Sequence, residues 1–296
     1  MRFMRTFELT VVYVSTAFLF SFGVRAQSLF VASGSNILEL TPAGMQSPFA
    51  SGLNYPNTLA FNSAGDLFVG DPSSLSIYQF TPAGMESSFA SGLGPGIVGL
   101  AFNNAGDLFL ADAGTYNIYE FTPDGTKSIF ASAVGPGGGL AFNSAGDLFV
   151  ATASGSIEEI TPSGVRSIFA SGLYNPKGLA FNSAGDLFVA DLEQVNSGSI
   201  YEYTPSGVQS TFVSGLHSPE GLAFNKAGDL FEADSGSSNI YEFAPDGTQI
   251  LFASGLNSPQ GLAIKPTPEP SPLWLVLLGG GIWFYVRCTY KKHRLA

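Results

Sequence analysis

The chain has 296 residues, and its 36 glycines and 18 prolines predict many tight turns and few long helices. Between Gln27 and Lys265, five basic residues stand against 21 acidic ones; this net charge of −16 repels phosphate backbones and argues against nucleic-acid binding. The single cysteine, Cys288, excludes a disulfide or a cysteine-based metal site within the chain.

The first 26 residues have the pattern of a secretory signal peptide. Arg2 and Arg5 supply the positive start, and an apolar run follows from Leu9 to Val24. Val24-Arg25-Ala26 offers a small-residue cleavage site. We therefore expect residues 1–26 to be removed by signal peptidase and the protein to be exported.

Residues 27–265 contain successive copies of one short sequence motif. The fragment Ala-Gly-Asp-Leu-Phe recurs at steps of 41, 40, 39 and 43 residues, with its aspartate at Asp66, Asp107, Asp147, Asp186 and Asp229. A sixth copy keeps only the strand, Leu29-Phe30-Val31-Ala32. A period near 40 that is built from short β segments predicts a β-propeller.

Each repeat contains four short strands joined by glycine turns, which is the pattern of one antiparallel propeller blade. Each strand type occurs six times; the second type begins at Leu29, Leu67, Leu108, Leu148, Leu187 and Leu230. The body begins with a second-type strand and ends with a first-type strand, Leu262–Ile264. We expect an all-β propeller of six blades in which these two ends pair and close the ring. A seven-bladed WD-repeat ring is disfavoured because both tryptophans lie outside the body.

The C-terminal segment has three parts. Residues 266–272 form a proline-rich linker, residues 273–286 are uncharged and apolar, and residues 287–296 form a basic tail. As a helix the apolar run reaches about 21 Å, less than the roughly 30 Å of a hydrocarbon core, but its aromatic flanks and Arg287 could extend it. We predict a transmembrane helix at 273–286 with a cytoplasmic tail, in preference to a buried core helix.

This C-terminal arrangement resembles the PEP-CTERM sorting signal of Gram-negative bacteria. The resemblance rests on Pro268-Glu269-Pro270, the hydrophobic segment and the basic end. It implies recognition by an exosortase, which is a membrane transpeptidase, and removal of the tail. The body would then reach the cell envelope or the extracellular space after at least transient anchoring in the inner membrane.

A carboxylate follows the second strand in four of the six repeats. These residues are Asp71, Asp112, Asp191 and Asp234, whereas the other two repeats carry Ser33 and Thr152. Four carboxylates at one end of a ring could converge on a central cation. Alternatively, each of them accepts backbone N–H groups within its own loop.

The repeated units Gly-Leu-Ala-Phe-Asn and Gly-Asp-Leu-Phe-Val-Ala-Asp resemble NHL-type repeats and the six-bladed gluconolactonase-like propellers. That fold hosts lactonases, lyases and binding modules. In the gluconolactonase-like family a Glu, an Asn and an Asp hold a divalent metal. The resemblance implies Glu220 as the Glu, one of the four strand-end aspartates as the Asp, and Asn57 or Asn175 as the Asn. We expect no cofactor, with Ca²⁺ or another divalent metal as the alternative.

The longest irregular segment, 191–199, is the candidate ligand loop. Its distinctive residues and their neighbours are Tyr174, Asn175, Glu193, Gln194 and Asn196. His217 is the only histidine of the body, and with Glu220 it resembles the pair of a virginiamycin-lyase-like propeller. A polar surface histidine is the simpler interpretation.

The sequence as a whole predicts an exported binding or structural module that recognises an unknown protein or glycan. The near-identical repeats carry no nucleophile-elbow motif and no catalytic constellation. The alternative is a metal-dependent lactonase or related hydrolase.

Overall fold

The computed structural model describes residues 27–194 and 197–267, and all regular elements in this part are β-strands. Twenty-four strands form six four-stranded antiparallel sheets, which confirms the six-bladed propeller. Within these residues no helix is long and apolar enough to cross a bilayer. The predicted signal peptide, Pro268-Glu269-Pro270, the 273–286 helix and the basic tail lie outside the described residues.

Blades are numbered along the chain, and their strands run from the channel outward. Blade 1 consists of β24 (Pro259–Ile264), β1 (Leu29–Ser33), β2 (Asn36–Leu40) and β3 (Gln46–Ser51). Blade 2 consists of β4 (Thr58–Phe61), β5 (Leu67–Asp71), β6 (Ser76–Phe80) and β7 (Glu86–Ala90). Blade 3 consists of β8 (Ile97–Phe102), β9 (Leu108–Asp112), β10 (Asn117–Phe121) and β11 (Lys127–Ala131).

The other three blades follow the same order. Blade 4 consists of β12 (Pro136–Phe142), β13 (Leu148–Thr152), β14 (Ser156–Ile160) and β15 (Arg166–Ser171). Blade 5 consists of β16 (Pro176–Phe181), β17 (Leu187–Gln194), β18 (Ser197–Tyr203) and β19 (Gln209–Leu216). Blade 6 consists of β20 (Pro219–Phe224), β21 (Leu230–Asp234), β22 (Asn239–Phe243) and β23 (Gln249–Ser254).

The ring closes within blade 1, as the strand count predicts. β1 pairs with β24 in the register Leu29 to Ile264 and Val31 to Leu262. Just beyond this ladder, the Lys265 N–H donates to the carbonyl of Ser28 at 3.0 Å. Every blade is therefore complete within the described residues, and the ring leaves no inner strand unpaired.

The repeated aspartate of the Ala-Gly-Asp fragment locks a turn. In blade 6, Asn225 Nδ2 donates to Asp229 at 2.8 Å, and the Asp229 N–H donates back to Asn225 Oδ1 at 2.9 Å. Gly228 between them has a φ of +93°, a conformation that L side chains rarely adopt. The same clasp occurs in blades 2 to 5, so this repeated pattern is explained by turn geometry.

The core lies between neighbouring blades and is built around phenylalanine. The Phe of each second strand packs edge-to-face on the Phe of its own outer strand. In blade 5, the Phe188 ring centroid lies 5.0 Å from Phe212 and 5.0 Å from Phe224 of blade 6. Equivalent pairs recur around the ring, and each adds to the stabilisation by buried area.

The ring has two distinct faces. The turn face carries the Asn-x-x-Gly-Asp and Thr-Pro-x-Gly turns. The channel face carries the loops that lead into the inner strands, together with the turns between second and third strands. Both ends of the described chain lie at the turn face, because Gln27 Nε2 donates to Lys265 O and Gln27 Oε1 accepts from the N–H of Lys226 in a Gly-Asp turn.

Two expectations about loops are wrong. The segment 191–199 was expected to be an irregular loop, but β17 continues to Gln194 and β18 begins at Ser197, so a longer hairpin replaces most of it. The last first-type strand was expected to span Leu262–Ile264, but β24 begins at Pro259, where a proline at the first position of a strand is tolerated. Lys177, Glu220 and Gln260 lie on inner strands extended in this way, each at a register shift in the ladder to the second strand.

Candidate functional site

The inner strands surround a central cavity of about 330 Å³ that opens at the channel face. One position on each blade, two residues before the inner-strand leucine, contributes to its wall. The six blades place different residues there: Gln260, Asn57, Val98, Gly138, Lys177 and Glu220. The channel mouth is therefore a place where the near-identical blades differ in chemistry.

Lys177 and Glu220 bring opposite charges to adjacent blades at the mouth. Both side chains are half-buried, and the two do not come within ion-pair distance of each other. Burial raises the pKa of Glu220, while the positive charge of Lys177 works in the opposite direction. The pair thus presents a donor and an acceptor that a polar ligand could engage separately.

Two amides and a tyrosine complete the polar part of the mouth. Gln260 Nε2 donates to the hydroxyl of Tyr55, which ties blade 1 to the loop before blade 2. Asn57 Nδ2 donates to the carbonyl of Ile97 at 2.9 Å, whereas Asn57 Oδ1 is buried and has no partner among the described residues. Asn57 Oδ1 is therefore an acceptor without an internal donor beside the cavity.

The four strand-end aspartates hold the loops of the channel face. All four are at most 2% exposed, and their carboxylates accept backbone N–H groups. The donors are Asn54, Tyr55, Ser73 and Ser74 for Asp71; Gly114 and Thr115 for Asp112; Tyr174 and Asn175 for Asp191; and His217, Ser218 and Ser237 for Asp234. The local-turn alternative describes Asp112, whose donors lie two and three residues away. Asp71, Asp191 and Asp234 accept from the loop that leads into the inner strand, 16 and 17 residues earlier in the chain.

The candidate metal residues are not gathered into one cluster. Across residues 27–194 and 197–267, no group of three or more His, Cys, Asp or Glu side chains is positioned to hold a metal ion. Glu220 lies on the channel wall, while the aspartates are directed to loop N–H groups. A metal centre at Glu220 with Asp71, Asp112, Asp191 or Asp234 stays a prediction.

The candidate ligand loop is partly described. Tyr174 exposes 69% of its surface, and Asn175 donates its N–H to Asp191 at 2.7 Å. Glu193 accepts a 2.7 Å hydrogen bond from the Tyr201 hydroxyl, which lowers the pKa of Glu193 and raises that of Tyr201. The side chain of Gln194 and all of Asn196 lie outside the described residues.

Glu232 on β21 is a notable residue that sequence reasoning missed. It is fully buried, and neither carboxyl oxygen has a hydrogen-bond partner among the described residues. The equivalent residues of the other blades are aliphatic and fully buried: Val31, Val69, Leu110, Val150 and Val189. The available signal was the single change from Leu-Phe-Val-Ala-Asp to Leu-Phe-Glu-Ala-Asp.

The surroundings of Glu232 are mainly apolar, with the carboxylates of Asp234 and Glu220 near enough to influence its pKa. It pairs across the ladder with Leu222, so its side chain is on the same side of the sheet as the cluster that contains Leu222, Ala190 and Phe243. Burial is the main cause that raises the pKa of Glu232 well above its usual value, and the charges of Asp234 and Glu220 raise it further.

The histidine and the exposed tyrosines lie on the channel face. His217 is exposed, and its N–H donates to Asp234 at 2.8 Å, while Glu220 lies on the neighbouring inner strand. Tyr55 and Tyr116 expose 46% and 59% of their surface. Of the three exposed tyrosines, only Tyr174 was predicted from the sequence to contact a ligand, because the exposure of an aromatic side chain in a loop depends on the conformation of that loop.

Comparison with known proteins supports the fold. No protein-family profile matches the sequence, and no curated protein matches it. A chain in the crystal structure of a nidogen–laminin complex superposes with a TM-score of 0.73 at 19% identity, covering 82% of this chain and 100% of that chain.

Two enzymes are also structurally similar. A gluconolactonase from Xanthomonas campestris has a TM-score of 0.65 at 15% identity and covers 80% of this chain and 89% of its own. The virginiamycin B lyase of Staphylococcus aureus has a TM-score of 0.59 at 17% identity and covers 80% and 88%. The chain is thus a six-bladed propeller with gluconolactonase-type structural neighbours, and at these identities the likeness shows the fold alone.

Proposed function

We propose that this protein is an exported binding module of the cell envelope or extracellular matrix, and that its channel face is the binding surface. The proposal depends on where the six blades differ from one another. They share one type of core and one set of turns, yet they place six different residues around the channel mouth. Ligand sites are typically concave surfaces with a few polar groups that converge on the ligand, and the channel mouth has this form.

The position of the chain ends supports this choice of face. The first and last described residues meet at the turn face, where Gln27 contacts Lys265. Both points where the described chain continues into further sequence therefore lie on the side of the ring opposite the channel mouth.

The proposal is tested by measuring how well the purified protein binds to the surface of cells of its own source strain from which its gene has been deleted. The ring of residues 27–267 is compared with a Lys177→Ser, Glu220→Ser double variant and with a Met45→Ser, Met85→Ser variant of the turn face, whose methionines are each 67% exposed. We expect the channel variant to bind about tenfold less well and the turn-face variant to bind like the parent. Equal loss in both variants, or loss only in the second, would contradict the assignment.

Export and sorting belong to the same proposal. The N-terminal signal, Pro268-Glu269-Pro270 and the apolar segment with its basic end support processing by signal peptidase and an exosortase-type enzyme. Co-expression with an exosortase is expected to yield a product that begins at Gln27 and lacks residues 273–296. Intact mass spectrometry measures this directly, and a mature protein that retains the last 24 residues would be incompatible with sorting.

A metal-dependent lactonase is the second candidate, and the observation that favours it is Glu220 on the channel wall. This alternative expects stoichiometric Ca²⁺ or Zn²⁺ in the purified ring, with loss of both metal and lactone hydrolysis in Glu220→Gln. The binding-module proposal expects neither.

A further inference from the structure

The exposed aromatic rings of the described chain are concentrated on the channel face. Tyr55, Tyr116 and Tyr174 are 46%, 59% and 69% exposed, and all three lie in channel-face loops. Among residues 27–194 and 197–267, the remaining tyrosines belong to third strands and are buried or half-buried, and no phenylalanine is exposed. The large exposed side chains of the turn face are aliphatic, such as Met45 and Met85.

Two of these rings are carried by loops that are fixed in advance. The N–H of Tyr55 donates to Asp71 at 3.1 Å, and the N–H of Tyr174 donates to Asp191 at 3.0 Å. Both aspartates are buried. A ligand that stacks on these rings therefore meets loops whose backbone is already ordered, which lowers the entropic cost of binding.

The two loops stand on opposite sides of the ring. Tyr55 precedes blade 2 and Tyr174 precedes blade 5, three blades further around a ring of six. The channel mouth lies between them, with Asn57 and Gln260 on the Tyr55 side and the opposite charges of Lys177 and Glu220 on the Tyr174 side. The Nδ2 of Asn57 and the Nε2 of Gln260 already donate to Ile97 and Tyr55, so the amide oxygens are the groups left to accept from a ligand. A ligand that touches both tyrosines must be extended and must cross this mouth.

The chemistry of this path suits a neutral, hydroxyl-rich chain. Tyrosine offers a flat apolar ring with a polar tip, and amide oxygens accept hydrogen bonds from hydroxyl groups. The net charge of −16 on the body disfavours polyanions. Sugar rings combine an apolar C–H face with a rim of hydroxyls, and so match both features at once.

We propose that the channel face binds an extended, uncharged polysaccharide that crosses the channel mouth from Tyr174 to Tyr55. This proposal rests on the binding function proposed above and specifies its ligand class. The asymmetric residues at the mouth then act as hydrogen-bonding groups between two aromatic platforms.

The test is a glycan array of neutral linear hexasaccharides and disaccharides of glucose, mannose, galactose and N-acetylglucosamine in α- and β-linkages, with alginate as the polyanion. The ring of residues 27–267 is expected to bind at least one neutral hexasaccharide, to bind the matching disaccharide much more weakly, and to ignore alginate. Tyr174→Ala and Tyr55→Ala should each weaken hexasaccharide binding by about tenfold. Tyr174→Phe should retain it because the ring is kept.

Met85→Ala on the turn face is the matched control and should bind like the parent. Thermal melts verify that each variant is folded. The absence of neutral-glycan binding across the array, or binding that both Tyr→Ala variants retain, overturns the inference. If the Lys177→Ser, Glu220→Ser variant still loses cell binding while the array is empty, the binding module stands with a protein partner and only the glycan assignment fails.

Discussion

Replacing Glu232 by valine is expected to stabilise the ring at neutral pH. The side chain is fully buried, its oxygens have no partner among the described residues, and the five other blades carry an aliphatic residue at this position. Removing an unsatisfied buried polar group of this kind recovers about 2 kcal/mol. For a domain of this size that corresponds to a rise of roughly 5 °C in melting temperature, measured by calorimetry.

The stability gained by the Glu232→Val substitution should increase as the pH rises. The folded-state pKa of Glu232 is raised above the usual value of 4.5, so the unfolded chain loses this proton first as pH rises. The part of the destabilisation that comes from ionising Glu232 is therefore absent below about pH 4.5 and grows until the pH passes the folded-state pKa, whereas the cost of the unpartnered neutral carboxyl is present at every pH. The difference between Glu232→Val and the parent should be smaller at pH 4 than at pH 7.

The Glu232→Gln variant distinguishes the cost of burying a charge from the cost of burying an unpartnered polar group. It keeps the shape and the unsatisfied polar atoms but cannot ionise, so we expect an intermediate stability at pH 7 and little change of the difference from Glu232→Val with pH. A Glu232→Val protein that is less stable than the parent at pH 7 would show that the carboxyl has a stabilising partner.

Replacing Asp71 by alanine is expected to have the opposite and larger effect. Its fully buried carboxylate accepts four backbone N–H groups, from Asn54, Tyr55, Ser73 and Ser74. Without the acceptor, these donors in two loops lose charge-assisted hydrogen bonds, at a cost of about 3 kcal/mol. Urea unfolding of the ring measures the loss.

Two substitutions calibrate this result. Asp71→Asn keeps one acceptor oxygen and should lose about half as much stability, whereas Asp124→Ala, in an exposed Thr-Pro-x-Gly turn, should change the unfolding midpoint little. An Asp71→Ala ring with unchanged stability in metal-free buffer would mean that the carboxylate has a role other than holding the loops.

The number of blades and the closure of the ring could be predicted because they depend on local signals that recur. Five repeats place glycine in the Asn-x-x-Gly-Asp turn, and the first strand, Leu29–Ala32, lacks an inner partner until Leu262–Ile264 supplies one. The last inner strand was predicted to begin at Leu262 and begins at Pro259, because a proline suggests a loop although it is tolerated at the first position of a strand.

The site was harder to predict than the fold. Glu232 occupies an ordinary strand position, and its burial follows only from the packing of blade 5 on blade 6. The roles of the strand-end aspartates were left open between a central cation and local turns, because a sequence does not show which way a carboxylate points. The exposed rings of Tyr55 and Tyr116 depend on loop conformations that no periodic pattern encodes.

The central claim is that partners bind at the channel face while the repeated turns serve as scaffold. Hydrogen–deuterium exchange of the ring, free and bound to envelope material from the producing cells, tests it most directly. We predict protection within residues 53–59, 172–178, 216–221 and 257–262, with unchanged exchange in the Gly-Asp turns. Protection confined to turns such as 62–66 and 225–229 would contradict the account.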